Sequence, residues 1–360
     1  MTYKQIAFFN HKGGVSKTTT AFNIGWMLAE KGKKVLLVDC DPQCNLTGLS
    51  IGTEGDDTES PIEKLYQSST ANKPTNIRDA LRPAFEGKPS LIQPVECHEI
   101  KDRKGLFLLP GHVGLAEYET SLGVAQQISG SLSTLRNLPG SFRYLISETA
   151  KKYDIDYALI DMSPSLGPLN QNLLMTSEFF IIPMAPDFFS MMAISSLADT
   201  LPRWKKWLTE LQKLDFLETA EYPFPKIHPK MIGYIMQRFN TRKGNPSAFF
   251  QNWIDKISVE MKNSLLPQLK AADFLLDKET YENAGVIISD PLIQIKDFQS
   301  LISKAQEHQK PVFCLTQEEL GSTGVVLKGQ GGNVETFRND FSSLTDTILK
   351  LTDVTPIQSV

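Results

Sequence analysis

Cysteine is scarce in this chain: four in 360 residues, Cys40, Cys44, Cys97 and Cys314, with no spacing that reads as a disulfide framework. Cys40 and Cys44 stand four apart and could hold a metal or cluster together with a partner subunit. The expectation is plainer, two small thiols buried beside a strand end. The five histidines are scattered without metal-ligand spacing. No apolar run approaches the roughly 20 residues with which a helix crosses a bilayer, and no basic start followed by an apolar stretch opens the chain. A soluble, cytoplasmic protein is expected. Charge of neither sign dominates: 37 basic against 41 acidic side chains leave a net charge of −4. The molecule is no polycation, although a local basic patch suffices for nucleic-acid contact. Repeats, heptads and low-complexity tracts are also missing. With 41% apolar residues the chain can build a real core, as one large α/β domain or two modest ones.

What is present is an alternation of strands and helices, which predicts a doubly wound, mostly parallel α/β sheet covered on both faces. Strands are expected at Ile6–Phe9, Lys34–Asp39, Leu106–Leu109, Tyr157–Asp161, Phe179–Pro183 and Met231–Met236. Helices are expected after Thr19, closed by Gly32, near Ile77–Phe85, and at the C-terminal end. There Phe337, Phe341, Leu344, Ile348 and Leu351 form one stripe. Residues near 52–105, 124–140 and 208–228 read as surface insertions in a single domain spanning 1–360. The first carries an acidic turn (Glu54, Asp56, Asp57, Glu59), and 129–139 reads as a loop between helices. The first strand begins almost at Met1, so no separate DNA-reading module is expected ahead of it.

Between the first strand and its helix stands Asn10-His11-Lys12-Gly13-Gly14-Val15-Ser16-Lys17-Thr18-Thr19. Strand, glycine turn, Lys-Thr, helix is the layout of a phosphate-binding loop. Backbone N–H groups at a helix start meet polyphosphate oxygens, and glycines let the main chain come close. Lys17 would put its ammonium on the β/γ-phosphates and Thr18 its hydroxyl on Mg²⁺. The general pattern G-x-x-x-x-G-K-[ST] is imperfect here, because His11 and Ser16 take its outer glycine positions. Asp39 and Asp41 after the second strand, and Asp161 ending the fourth, lie where open α/β sheets bind ligands. An apolar strand ending in Asp can hold the Mg²⁺ shell through water.

Lys12 to Thr19 resembles the K-G-G-V-G-K-T-T loop of the ParA/MinD family of deviant Walker A P-loop ATPases, with Ser16 replacing a glycine. Val38 to Gln43 is similar to the family's V-D-x-D-P-Q, and Tyr157 to Gly167 to its Y-x-x-I-D-x-P-P-S-L-G. Gln306 to Phe313 resembles its A-x-x-x-G-K-P-V. The likeness is nearest to the ParA partition branch and loose over 245–299. It implies ATP and Mg²⁺ as cofactors, gripped by residues His11 to Thr19: His11, Lys12, Gly13, Gly14, Val15, Ser16, Lys17, Thr18 and Thr19. Thr18, Asp39 and Asp161 would serve the metal and Asp41 the attacking water. Lys12 would cross a dimer to the partner's phosphates, and Asn240 would contact adenine. Ser16 is acceptable at negative φ, with its Cβ near the β-phosphate.

The resemblance further implies slow, partner-stimulated ATP hydrolysis in a homodimer. It implies non-specific DNA binding, a ParB-like or cargo-adaptor activator, and segregation of DNA or positioning of a cargo over the nucleoid. Lys205, Lys206, Arg238, Arg242 and Lys243 are the candidate DNA contacts. Membrane binding is not expected, because the last helix has few bases and residues 352–360 none. A rival reading is a nucleotide-sensing scaffold with little turnover that binds a protein through the acidic insertion. A third, an amidoligase or metallochaperone, lacks a Cys-x-x-Cys pair.

Overall fold

The computed structural model describes residues 3–53, 60–127, 135–242 and 244–353. The acidic turn at 54–59, most of the 129–139 loop, Lys243 and the 354–360 tail lie outside them. Ten strands are present among the described residues: β1 (Lys4–Phe8), β2 (Val35–Asp39), β3 (His98–Glu99), β4 (Leu106–Leu109), β5 (Tyr157–Asp161), β6 (Phe179–Met184), β7 (Lys230–Phe239), β8 (Thr241–Arg242), β9 (Asn245–Pro246) and β10 (Ile293–Lys296). Eight form one sheet in the order β10-β7-β6-β1-β5-β2-β4-β3, and β8 pairs with β9 alone. Every neighbour in the large sheet is parallel except β3 with β4. β1 is central, flanked by β5 and β6. The chain winds to one side through β2 to β5 and to the other through β6 and β7, so the strand order reverses at the carboxyl end of β1.

Alternate residues of the strands feed two cores, one per face. Ile6, Phe8, Leu37, Leu159 and Ile181 join one, with the helix Lys17–Glu30 and the 29-residue helix Gly324–Thr352, whose Phe337, Phe341, Leu344, Ile348 and Leu351 are all buried. Ala7, Phe9, Val38, Ile160 and Ile182 join the other, with the helices Ile77–Phe85, Leu138–Tyr153, Pro168–Met175 and Phe188–Leu211. Gly32 follows the first helix at φ +84°, a left-handed stop that glycine takes without steric cost.

One expectation needs correcting, and two edge strands had no signal. The segment read as a loop to residue 139 already turns helical at Leu138, where Pro139 fits the first turn that needs no N–H from it. β3 and β10, two and four residues long at the sheet edges, are too short for a periodic signal. Among the described residues no helix is long and apolar enough to cross a membrane.

Candidate functional site

The loop that leaves β1 is held by its own Asn10 and by a polar side chain from another strand. The Asn10 amide donates from Nδ2 to the Pro183 carbonyl at 2.8 Å, and its Oδ1 accepts from the Lys12 N–H at 3.0 Å. From β7, Gln237 Nε2 donates to the Val15 carbonyl at 2.9 Å and to Thr20 Oγ1 at 2.8 Å. Gly14 has φ +70° and Ser16 φ +60°. The negative φ expected at Ser16 is therefore not what the loop adopts: the serine takes the left-handed conformation of the glycine it replaces. For an L-residue this costs about 1–2 kcal/mol. The turn delivers the Lys17–Glu30 helix with its free N–H groups at the loop's mouth.

Lys17 is buried, and its ammonium donates to the carbonyls of Asn10 (3.0 Å) and Lys12 (3.3 Å), spanning the loop. Burial pulls its pKa down, opposed by Asp161 and Asp41. The Thr18 hydroxyl donates to Asp161 Oδ2 at 2.7 Å. Asp161 and Asp39 end neighbouring strands in direct register, and both are fully buried. Burial pushes the Asp161 carboxyl up to about 8, with repulsion from Asp39 adding to it. Burial also lifts Asp39 to about 6, eased by its bonds to Thr47. Asp161 Oδ1 is buried with no hydrogen-bond partner.

An orphaned carboxylate oxygen beside a threonine hydroxyl, buried among like charges, fits a divalent cation. Among the described residues no three His, Cys, Asp or Glu side chains converge as a ready-made cage. That agrees with Mg²⁺, which keeps several waters and takes one or two carboxylates plus phosphate oxygens.

Asp39 is already committed. Its Oδ1 accepts from the Asp41 N–H at 3.2 Å, and its Oδ2 from the N–H and hydroxyl of Thr47 at 2.8 and 2.7 Å. It braces the loop that carries Asp41 more than it faces a metal. Asp41 is buried, with Oδ1 accepting from the Gln43 N–H at 2.9 Å. The Lys12 ammonium donates to Asp187 Oδ2 and, at 3.1 Å, to Ser190 Oγ of its own chain. The half-buried His11 ring has a buried Nδ1 without a partner, and burial lowers its pKa. Cys40 and Cys44 are buried free thiols, as expected.

A cavity of about 150 Å³ opens beside the loop, walled by Ser16, Thr19, Gln237, Arg238, Asp297 and Phe298 among others. It borders the loop on the side of β7 and the β10 exit. Asn240, the expected adenine contact, is exposed beyond the end of β7 and lines none of it. Arg238, expected as a DNA contact, is exposed and donates from its guanidinium to the Gly14 carbonyl of the phosphate loop. Lys205 is half-buried. It lies 3.3 Å from His228 Nδ1 and over the Phe274 ring, and burial lowers its pKa to about 8. Lys206 and Arg242 are exposed. The two basic clusters do not meet: Lys205 reaches the entry to β7 at His228, while Arg242 follows its exit.

Missed in the sequence were the roles of Asn10, buried just past the end of β1, and of Gln237, a polar residue within the otherwise apolar end of β7. Such a residue in a buried strand was the available signal.

A family model described as an AAA domain matches residues 3–214. The sporulation initiation inhibitor protein Soj of Bacillus subtilis is 32% identical over 205 residues, 57% of this chain and 67% of its own. The chromosome-partitioning ATPase Soj of Thermus thermophilus is 30% identical over 201 residues, 55% of this chain and 61% of its own. A crystal structure of protein DIP2308 from Corynebacterium diphtheriae shares the fold at a TM-score of 0.64 and 20% identity, covering 97% of this chain and 98% of that one. The residues matched by the family model, 3–214, include the strand-loop-helix and the paired carboxylates that build the site, and this chain belongs to the ParA/MinD family of P-loop ATPases.

Proposed function

We propose that this chain binds Mg-ATP in the β1 loop and closes on a second copy of itself, hydrolysing the nucleotide slowly until a ParB-like or cargo-adaptor protein accelerates it. The carrying observation is the loop itself: a buried lysine, a second lysine five residues earlier, and a buried Asp161 oxygen with no partner converge there. Lys17 supplies fixed positive charge to the β/γ-phosphates. Thr18 and Asp161 would hold Mg²⁺, which supplies charge neutralisation at the phosphates. Asp41 orients water, and Asp39 with Thr47 fixes Asp41. Lys12 leaves Asp187 to reach the partner's phosphates, adding charge only when two subunits close. Gln237, Arg238 and the cavity beside them take the base.

The ATP-bound dimer binds DNA without sequence preference and moves DNA or a cargo over the nucleoid. The name of the Thermus relative and the exposed Lys206 and Arg242 support this. Phosphate contacts of that kind weaken steeply as salt rises. The test is a nucleotide-binding titration, an ATPase assay and a DNA mobility shift at rising salt, on wild type and Lys17→Ala. Binding, turnover and an ATP-dependent, salt-sensitive shift in the wild type, all absent in the variant, are expected. A wild type that binds ATP but shifts no DNA at low salt removes DNA from the account.

One observation favours a second reading, a nucleotide-sensing scaffold with little turnover: Lys12 is occupied by its own Asp187 and Ser190. Turnover that stays negligible in the presence of a stimulating partner would select it.

A further inference from the structure

We propose that Tyr66, from the first insertion, is a positioning residue for Asp41. The inference rests on the reading above that Asp41 orients the attacking water. Tyr66 lies on the short helix Pro61–Gln67, begun by a reciprocal Ser60–Glu63 cap and by Pro61 at its first position. None of that helix's residues is fully buried, yet the Tyr66 side chain reaches the body of the protein at three points. Its hydroxyl donates to the Gly111 carbonyl at 3.1 Å and lies 3.5 Å from Cys44 Sγ. Its ring packs on His112 at 4.4 Å between centroids.

Those contacts lead to Asp41 by two routes. Through Gly111, the Gly111 N–H donates to Thr47 Oγ1 at 2.9 Å. Thr47 in turn donates to Asp39 Oδ2, and Asp39 Oδ1 holds the Asp41 N–H. Through Cys44, the Cys44 N–H donates to the Asp41 carbonyl at 2.9 Å. Gly111 has no slack on the Asp39 side, where a Cβ would stand 2.9 Å from Asp39 Cγ and 3.2 Å from its carbonyl oxygen. One phenol hydroxyl therefore ties together both loops that enclose the Asp39 carboxylate. The loop bearing Asp41 is gripped from the insertion side as well as from the sheet. Burial holds the phenol far above its usual range and the Cys44 thiol up at about 12. Both stay neutral, so the link is a hydrogen-bonded one at every working pH.

Asp41 acts only once nucleotide is bound, so loosening its loop alters turnover and not binding. Tyr66→Phe keeps the ring on His112 and removes only the hydroxyl. For the full chain, kcat is expected to fall about 5–10-fold, roughly the cost of one lost hydrogen bond. KM for ATP and the Kd of a fluorescent ATP analogue should stay within twofold, with the melting temperature nearly unchanged. Amide exchange at Cys44, Thr47 and Gly111 should quicken in the nucleotide-free variant. A merely structural role would lower the melting temperature and leave kcat alone. Unchanged exchange at those three amides overturns the link, and so does a wild-type kcat in an active preparation. A wild type that binds ATP without hydrolysing it overturns the hydrolytic reading instead, while the exchange measurement still decides whether Tyr66 holds the loop.

Discussion

Replacing Asp161 by asparagine changes how the stability of the nucleotide-free subunit depends on pH. Asp161 ends β5 opposite Asp39, is fully buried, and leaves Oδ1 without a partner. Burial and the Asp39 charge hold its carboxyl near 8, against about 3.9 in an unfolded chain. Across that interval the folded protein keeps a proton that the unfolded chain has released. Stability therefore falls as pH rises from about 4 to about 8, and is flat for this group outside the window. The limiting slope is one proton, about 1.4 kcal/mol per pH unit, so the step from pH 6 to 7.5 removes up to about 2 kcal/mol. Asp39, lifted to about 6, contributes in the same direction over a shorter interval. Four histidines lowered by burial, His11, His98, His112 and His228, act oppositely below their usual value, and equally in both proteins.

Asparagine carries no charge, so the variant lacks the Asp161 slope. Any cost of its buried amide is a constant offset. Urea unfolding of both proteins at half-unit steps from pH 5.5 to 8.5 should show a difference that grows with pH in favour of the variant. Added Mg-ADP should stabilise the wild type more at pH 8 than at pH 6, and the variant little at either. Parallel pH curves for the two proteins would refute the reasoning.

Ser16→Gly relieves a left-handed serine but gains unfolded-chain freedom, so the net stabilisation is about 0.5–1 kcal/mol. Ser16→Ala, with the same φ, should give none, and equal unfolding midpoints for the two variants would contradict the strain argument. Arg238→Ala loses the bond to the Gly14 carbonyl. Because Arg238 is exposed, the effect is set at about 1 kcal/mol, a roughly fivefold weaker Kd for an ATP analogue by titration calorimetry. An unchanged Kd would contradict a role for Arg238 at the nucleotide.

Much of this was readable from local pattern. The apolar runs ending in Asp39 and Asp161, the loop from His11 to Thr19 and the stripe from Phe337 to Leu351 each carry their signal within a dozen residues. What escaped depends on contacts between distant segments. The face-to-face placement of Asp39 and Asp161 is a matter of strand register, 122 positions apart. Lys12 meets Asp187 across 175 positions and Tyr66 meets Gly111 across 45. Neither pairing has a sequence period. Arg238 is exposed in a basic run, and its positive φ of 65° at the strand's end accompanies a side chain bound back to the phosphate loop across 224 positions. Gln237 and Arg238 are the residues of β7 that border the cavity, and Asn240 lies past the strand's end.

The central claim is that a triphosphate is gripped by Lys17 of one subunit and Lys12 of the other. Sedimentation equilibrium of Asp41→Ala with saturating Mg-ATP tests it most directly, run beside the double variant Lys12→Ala/Asp41→Ala. The account predicts a doubled mass for the first and a monomer for the second, with both binding ATP. A double variant that dimerises as well as its parent would contradict it.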